Sequence, residues 1–279
     1  MSDQQTRAIA FRALHEGPGA FVIPNPWDAG TARLLAEIGY SALAATSAGL
    51  AFSLGRPDGH GAVSREETLA NARSIVEATV LPVSADLENG FGDSPEMVTE
   101  TIRLAASVGL VGGSIEDATG DPAGPIYCLE HAVARVAAAV EAARSLPFPF
   151  MLTARAENFL HGRPDLDDTI KRLKAFEAVG ADVLFAPGLP DLNAIRTVCA
   201  AVSRPVNVLA GSRVTVMELA DAGVRRISVG SSLARVALGA FMRAAREIKD
   251  TGNFTCFDQT PTYAELNANF ARPVGGMAP

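Results

Sequence analysis

Eight short apolar segments are spaced along the chain, and they constrain its fold more than any other feature. Longer stretches with the periodicity of amphipathic helices separate them, so strand-like and helix-like segments alternate. Near-continuous apolar strands are typical of parallel sheets that helices cover on both faces. The segments are residues 20–24, 42–46, 81–88, 112–117, 150–155, 181–186, 205–210 and 225–229. This alternation predicts an α/β protein built from eight β-α units.

The chain has 279 residues, and a barrel of eight β-α units needs roughly 250. We therefore predict a closed (β/α)8 TIM-type barrel in preference to an open doubly wound sheet. Because no linker or low-complexity stretch divides the sequence, residues 1–279 are expected to form a single barrel domain, with residues 250–279 as a C-terminal extension. A helical pattern at residues 263–270 has no place in a ring of eight helices. We expect this extra helix to pack elsewhere, for example swapped onto a neighbouring subunit.

The charge balance excludes several classes of function. The net charge is −7 and no run of basic residues occurs, which argues against nucleic acid or an anionic membrane as a partner. Of the 24 basic residues only Lys171, Lys174 and Lys249 are lysines, and none of them ends a predicted strand. Imine-forming enzymes need a lysine at the site, so Schiff-base chemistry is not expected.

Cysteine usage and hydropathy indicate the compartment. The three cysteines are widely spaced and show no metal-binding spacing, which is typical of proteins of the reducing cytosol. No apolar run reaches the ~20 residues of a membrane-spanning helix. The polar segment 1–15 lacks the pattern of a signal peptide. We expect a cytoplasmic protein.

Acidic residues gather where two neighbouring strands end. The two-residue period of a strand places Asp86 and Glu88 on the face opposite the apolar side chains, and Glu116 does the same on the next strand. In barrels of this kind the chemistry lies at the carboxyl ends of the strands. Three carboxylates in a small volume recruit a cation, and oxygen ligands suit Mg²⁺ or Mn²⁺. The alternative is that one or two of these acids face outward and pair with surface arginines.

The ends of the fifth and second strands supply groups that bind anions. Arg155 shares a face with Glu157 and is expected opposite the acidic cluster, where its planar guanidinium suits a substrate carboxylate. Alternatively, it only neutralises Glu157 or Glu116. The small residues 45–49 offer backbone N–H groups that can surround an anion. Together these features predict a metal that binds a 2-oxo acid and stabilises its enolate.

At these residues the sequence resembles the isocitrate lyase/phosphoenolpyruvate mutase superfamily. The resemblance covers about residues 21–230. It is carried by Thr-Ser-Ala-Gly at 46–49, Ser-Leu-Gly-Arg-Pro-Asp-Gly at 53–59, Asp-Leu-Glu-Asn-Gly-Phe-Gly at 86–92, Ser-Ile-Glu-Asp at 114–117 and Ala-Arg-Ala-Glu at 154–157. Members of the superfamily break or form C–C or P–C bonds next to a pyruvate enolate. They are commonly tetramers that swap the last helix between subunits.

The resemblance implies a role for individual residues. Asp86 would bind Mg²⁺ directly, while Glu88, Glu116 and Asp58 would act largely through water. Ser47 and Ala48 would hold the carboxylate of a pyruvate-like group through their N–H groups. The predicted site thus has Arg155 and Asp58 as catalytic residues, Asp86, Glu88 and Glu116 at the metal, and Thr46, Ser47, Ala48, Gly49, Asp58, Arg155 and Asn207 at the substrate.

Departures from the superfamily pattern leave the reaction open. Residues 118–129 contain neither the Lys-Cys-Gly-His motif of the lyases nor the lysine-bearing loop of the mutases. Cys128 is interpreted as buried structure instead. The Phe-Pro-Glu pattern of the lyases becomes Phe-Ala-Pro at 185–187, and Asn207 lies near, but not in register with, a superfamily asparagine. The half of the site that binds the enolate therefore matches, and the half that selects the leaving group does not.

Several other residues have both a functional and an ordinary interpretation. His60 follows Asp58 and is either a general acid or a plain loop histidine, and Tyr127 and His131 flank a loop that is able to close over the substrate. His15 and His161 are expected at the surface. Gly-Ser pairs at 211–212 and 230–231 are either helix starts or a phosphate site, which would fit a phosphate-anchored isomerase or synthase.

The sequence as a whole predicts a homo-oligomeric (dimeric or tetrameric), Mg²⁺- or Mn²⁺-dependent enzyme for a small 2-oxo carboxylate. A C–C lyase or decarboxylase is favoured. P–C bond chemistry is the main alternative, and a non-catalytic 2-oxo acid binding barrel is a further one.

Overall fold

Eight short parallel strands follow one another around a nearly closed barrel, in the computed structural model of residues 3–59 and 61–275. Their order is β1-β8-β7-β6-β5-β4-β3-β2, so each strand lies beside its neighbour in sequence and β1 pairs with β8. The strands are β1 Phe21–Ile23, β2 Leu43–Ala44, β3 Val83–Asp86, β4 Gly112–Glu116, β5 Met151–Arg155, β6 Val183–Phe185, β7 Val206–Leu209 and β8 Arg226–Ser228. The predicted (β/α)8 barrel is confirmed.

Two hydrogen bonds join β1 to β2 and complete the ring. The Ala44 N–H donates to the Pro24 carbonyl at 3.1 Å, just beyond the end of β1. The Asn25 side-chain amide donates to the Ala44 carbonyl at 2.9 Å. The barrel is therefore continuous between its shortest strand and its first.

Eleven α-helices occur in the described residues. They are α1 Asp3–Glu16, α2 Ala29–Ile38, α3 Ser47–Ser53, α4 Arg65–Glu77, α5 Pro95–Ser107, α6 Leu129–Arg144, α7 Leu166–Ala178, α8 Leu192–Ala201, α9 Val216–Asp221, α10 Ser232–Thr251 and α11 Tyr263–Ala271. None of them has the combination of length and apolar character that a bilayer-spanning helix requires. The outward apolar side chains of the strands pack against the helices in one large core.

Helix α1 lies under the barrel, and the sequence pattern did not predict it. Its buried residues are Ala8, Phe11 and His15, spaced at helical intervals, and Ala8 and Phe11 belong to the same apolar cluster as the strand residues Ile23 and Met151. The expectation that His15 lies at the surface is wrong, because this face of α1 fills the bottom of the barrel and leaves His15 only 3% exposed.

The last helix, α11, matches the predicted extra helix. It lies against α2 of the same chain, where the Arg33 guanidinium sits 5.7 Å from the centre of the Phe270 ring. Arg33 also donates hydrogen bonds to the carbonyls of Asn269 and Arg272. The preceding helix, α10, has a single buried residue, Ala234, along its 20 residues.

Candidate active site

Two adjoining cavities open at the carboxyl ends of the strands. The outer cleft has a volume of about 1140 Å³ and the inner cavity about 250 Å³. They share four wall residues, Ser47, Asp58, Arg155 and Leu160. Every predicted site residue except Gly49 lines one of them: Thr46, Ala48, Asp86 and Asn207 the inner cavity, Glu88 and Glu116 the outer cleft, and Ser47, Asp58 and Arg155 both.

Gly49 has a packing role beside the site. Thr46 caps helix α3, and its hydroxyl accepts a hydrogen bond from the Gly49 N–H at 3.3 Å. A Cβ on Gly49 would lie 2.5 Å from the Thr46 methyl group and 2.9 Å from the Trp27 Cβ. Glycine at this position therefore lets the first turn of α3, with Ser47 and Ala48, sit against the mouth of the barrel.

Arg155 is the centre of the charged cluster. Its guanidinium contacts three carboxylates: Asp86 at 2.9 Å, Glu116 at 3.1 Å and Glu157 at 2.8 Å. Strands β4 and β5 are neighbours, and Glu116 pairs with Arg155 in their register. Arg155 consequently lies within the acidic cluster. The strand pattern had predicted a position opposite the cluster. Burial lowers the pKa of Arg155, but the three carboxylates outweigh it and raise the pKa well above its usual value.

Asp86 is held ionised in the wall of the inner cavity. Its carboxylate accepts hydrogen bonds from the Ser47 hydroxyl at 3.0 Å, the Ser114 hydroxyl at 3.3 Å and the Glu88 N–H at 3.2 Å, besides the pair with Arg155. Burial raises the pKa of Asp86, but Arg155 and these hydrogen bonds more than compensate, so the pKa lies below its ordinary value.

Glu88 reaches the cleft by a route that strand periodicity does not describe. Strand β3 ends at Asp86, and Glu88 has a φ of 48°, in the left-handed region. The chain therefore turns sharply after the strand, and this turn brings Glu88 to the same mouth as Asp86. A non-glycine residue in this conformation is uncommon and costs free energy.

The cluster carries more negative charge than Arg155 neutralises. Burial raises the pKa of Glu88 to about 7, and the charges of Asp86 and Asp58 add to the effect. Burial likewise raises the pKa of Glu116 well above its usual value, and that of Asp58 is raised by burial and by Asp86. These shifts are the signature of carboxylates that lack sufficient positive charge.

The donor set of this cluster fits a hard divalent cation. All its ligand atoms are carboxylate oxygens, and Asp86 is ionised in the wall of the inner cavity. Within residues 3–59 and 61–275, no three or more aspartate, glutamate, histidine or cysteine side chains are arranged so that together they could hold a metal ion. Mg²⁺ is typically bound by one or two carboxylates and several waters, so a complete protein set is not needed.

A buried network behind Arg155 was not predicted from the sequence. Glu157, which pairs with Arg155, donates its N–H to Asp117 at 2.8 Å, and Arg172 of α7 binds Asp117 at 2.9 Å. Burial raises the pKa of Asp117 to about 6. The strand period could have predicted that the adjacent acids 116 and 117 point in opposite directions, because successive residues of a strand face opposite sides. Glu116 faces the cleft, and Asp117 anchors the strand to α7.

The loop after β4 forms a small flap over the outer cleft. Ala118 and Ile126 form an antiparallel bridge, and the Thr119 N–H donates to the Pro125 carbonyl at 3.0 Å. The Tyr127 hydroxyl donates to Asp93, and His131 bonds the Asp93 carbonyl. The expectation of a buried Cys128 is wrong, because Cys128 stands exposed at the start of α6.

Of the predicted histidines, His161 lines the outer cleft, with its Nε2 4.0 Å from a Glu157 oxygen. Its side chain is 33% exposed, so it is less peripheral than the sequence suggested. His60 lies outside the described residues.

The suggested phosphate site after β8 is already occupied by protein groups. The N–H groups of Val229 and Gly230 both donate to the Asn25 side-chain oxygen, at 2.9 and 2.8 Å. These amides hold β8 to the end of β1 and are not free for a phosphate, which disfavours the phosphate-anchored class.

Comparison with known proteins places these features in a family. The family model for phosphoenolpyruvate phosphomutase matches residues 11–249. A crystal structure described as a candidate lyase/mutase from Burkholderia cenocepacia is 58% identical, with a TM-score of 0.95 over 98% of both chains. An oxaloacetate decarboxylase of Bradyrhizobium diazoefficiens is 30% identical over 75% of this chain and 72% of its own length. A 2-methylisocitrate lyase of Escherichia coli is 31% identical over 71% of this chain and 67% of its own length. The chain belongs to the phosphoenolpyruvate phosphomutase family, within the superfamily that its strand-end motifs resemble.

Proposed function

We propose that this protein is an Mg²⁺- or Mn²⁺-dependent enzyme that cleaves a C–C bond of a small 2-oxo carboxylate, as a lyase or decarboxylase, through an enolate. The observation that carries the proposal is the cluster of Asp58, Asp86, Glu88 and Glu116 at the entrance to a cavity of about 250 Å³. Family membership supports it, since relatives of this chain include both a decarboxylase and a lyase.

Asp86 would hold the metal directly, because it is the acid of the cluster whose pKa is lowered. Glu88, Glu116 and Asp58 would bind its water ligands, and the charge of the ion would favour the ionised form of all three. The metal, when bound, supplies a Lewis acid that stabilises the negative charge of the enolate.

The substrate carboxylate would lie in the inner cavity. Ser47 and Ala48 are the first two residues of α3, where backbone N–H groups have no partner within the helix. These N–H groups would donate to the carboxylate, as the family resemblance implies. Arg155 would exchange one of its three carboxylate partners for the substrate, and Asn207 would contact it from the far wall.

The proton donor of the reaction would lie in the outer cleft. Decarboxylation needs a stabilised enolate and an acid that later protonates its carbon. A water in the outer cleft beside Glu88 and Glu116 would supply that proton, since the bound ion favours the ionised form of these carboxylates. Residues 118–129 contain neither the Lys-Cys-Gly-His motif of the lyases nor the lysine-bearing loop of the mutases, so this loop favours neither class over the other. P–C bond chemistry is the second candidate, because the matching family model is that of a phosphomutase.

The test combines binding and turnover. Oxaloacetate, a 2-methylmalate-type hydroxy acid and phosphonopyruvate are offered with Mg²⁺, and the release of pyruvate and phosphoenolpyruvate is measured. 2-Oxoglutarate serves as a 2-oxo acid for the binding measurement alone. We expect turnover of a C–C substrate and an increase in melting temperature that requires both Mg²⁺ and a 2-oxo acid. Turnover of phosphonopyruvate alone would support the second candidate, and binding without any turnover would support the non-catalytic barrel.

Asp86→Asn should abolish the metal-dependent stabilisation and reduce turnover by about 100-fold or more. Asp191→Asn is the matched control. Asp191 caps α8 through its side chain, and asparagine caps equally well, so this variant should behave as the wild type. The proposal is contradicted if Asp86→Asn still binds Mg²⁺ and a 2-oxo acid normally.

We further propose a homo-oligomer, a dimer or tetramer, of cytoplasmic location, in which the single barrel domain of residues 1–279 presents its extension 250–279 to a neighbour. The exposed apolar side chains of α10 support the assembly. The unpaired state of Cys128, Cys199 and Cys256 fits a reducing compartment.

A further inference from the structure

Arg226, the first residue of β8, forms the floor of the inner cavity. Its side chain crosses the barrel interior: Nη2 donates to the Thr153 hydroxyl of β5 at 2.8 Å, although β6 and β7 separate the two strands. Nε donates to the Asn207 side-chain oxygen at 2.9 Å, and Nη1 lies 3.4 Å from His15 Nε2. The residue is only 6% exposed.

These contacts leave the charge of Arg226 without a counter-ion. Its three partners are a hydroxyl, an amide and an imidazole, and burial lowers the pKa of His15 to about 3, so that ring is neutral. No carboxylate in residues 3–59 or 61–275 pairs with Arg226 in the structure. Burial also lowers the pKa of Arg226, but a guanidinium starts above 12 and stays protonated at neutral pH.

An unpaired buried charge is costly, and proteins keep one where it has a function or where a ligand neutralises it. The inner cavity has four charged wall residues: Asp58, Asp86, Arg155 and Arg226. Arg155 is already bound by three carboxylates. Arg226 therefore sets a positive potential at the closed end of the cavity, below the acidic cluster at its mouth.

We infer that Arg226 is a binding determinant that draws the carboxylate end of the substrate into the inner cavity. This inference rests on the proposed function and adds to it the direction of binding. The carboxylate points down towards Arg226, and the bond to be cleaved stays at the mouth beside Glu88 and Glu116. It also restricts substrates to those with a small anionic end, because the inner cavity holds about 250 Å³.

Arg226 also has an architectural role, since it connects β5, β7 and α1. Substitution by lysine distinguishes the architectural role from the substrate-binding role. Arg226→Lys keeps the positive charge but cannot make the forked contacts to Thr153 and Asn207 together. Arg226→Gln loses the charge and keeps a polar side chain. Thr153→Val removes one hydrogen bond of the guanidinium and leaves the charge in place.

The experiment is calorimetric titration of oxalate, a planar dianion that resembles the enolate, into each Mg²⁺-loaded protein. We expect Arg226→Gln to weaken oxalate binding by about tenfold or more, and Arg226→Lys and Thr153→Val to stay within about threefold of the wild type. Titration with Mg²⁺ alone should give the same affinity in all four proteins, because Arg226 lies below the metal site.

Equal oxalate affinity in Arg226→Gln and wild type would overturn the inference, and so would an equal loss in Arg226→Lys and Arg226→Gln. If Arg226→Gln does not fold, Arg226→Lys and Thr153→Val test the inference. A purely architectural role of Arg226 predicts that both variants lose affinity for oxalate. If the wild type binds no oxalate with Mg²⁺, the proposed function fails instead, which distinguishes the two failures.

Discussion

His15 is a base buried under the barrel, between the rings of Phe11 and Phe21 at centroid distances of 4.8 and 5.0 Å. Burial, and then the charge of Arg226, lowers its pKa from 6.5 to about 3. The unfolded chain therefore binds a proton here between pH 6.5 and 3, and the folded chain does not. Stability contributed by neutral His15 is complete above pH 6.5 and is lost as the pH falls through that window.

We expect the free energy of unfolding to fall by about 2 kcal/mol between pH 7 and pH 5 through this residue. Urea unfolding at both pH values measures the change. His15→Gln cannot titrate, so its stability should fall less than that of the wild type over this range, by about the same amount. Between pH 7 and pH 8, where His15 is neutral in both states, the two proteins should respond alike. An equal fall in the free energy of unfolding of both proteins from pH 7 to pH 5 would contradict the assignment of this pH dependence to His15.

At the residue scale, the sequence predicted which residues form the site better than it predicted which side chains they contact. Asp86 and Glu116 could be placed at one mouth because strand periodicity and parallel topology depend on local sequence, whereas Glu88 reaches it through a turn beyond the strand. The pairing of Arg155 with three carboxylates depends on distances across strands, which no local pattern contains. Arg226 and His15 were missed for a related reason, since their contacts join the two ends of the chain.

The turn between β3 and α5 shows how one element positions the site. Glu88 and Phe91 have φ values of 48° and 60°. Arg135 of α6, only 1% exposed, donates hydrogen bonds to the carbonyls of Asn89, Gly92 and Asp93 within this turn. A helix outside the barrel thus holds the backbone that carries Glu88.

Arg135→Met should destabilise the protein by about 2 kcal/mol, because three partly buried carbonyls lose their donor. It should also weaken Mg²⁺ binding, since Glu88 is no longer held at the cleft. Chemical unfolding and Mg²⁺ titration measure the two effects. Arg103→Met, on the exposed face of α5, is the control and should change neither. A destabilised Arg135→Met with unchanged Mg²⁺ affinity would show that the turn does not set the position of Glu88.

At the element scale, most helices could be predicted because their ends have readable signals. Ser94 caps α5 as its Ser-Pro-Glu start predicts. Helix α9 begins at Val216, because Thr215 and Glu218 form a capping box that the sequence contains. Helix α3 was not predicted, since its seven residues are too few to show a helical period.

At the scale of the whole molecule, α10 is an unusual helix for a lone subunit. Among its side chains, Phe241 is 70% exposed, Val236 65% and Met242 47%. Leu238, Phe241, Met242 and Ala245 follow the spacing of one helix face. Contiguous apolar surface of this kind marks a protein interface. Helix α10 contains one lysine, Lys249, which lies at its end and not beside these four side chains.

We therefore expect native mass spectrometry and light scattering to detect a dimer or tetramer at micromolar concentration. Phe241→Asp should raise the dissociation constant by about 100-fold, because it places a charge where an aromatic side chain is buried in the assembly. Arg243→Asp is the control, because it introduces the same carboxylate two residues away, on the opposite side of the helix. It should leave the assembly intact. A monomeric wild type, or equal dissociation of both variants, would show that α10 does not form the interface.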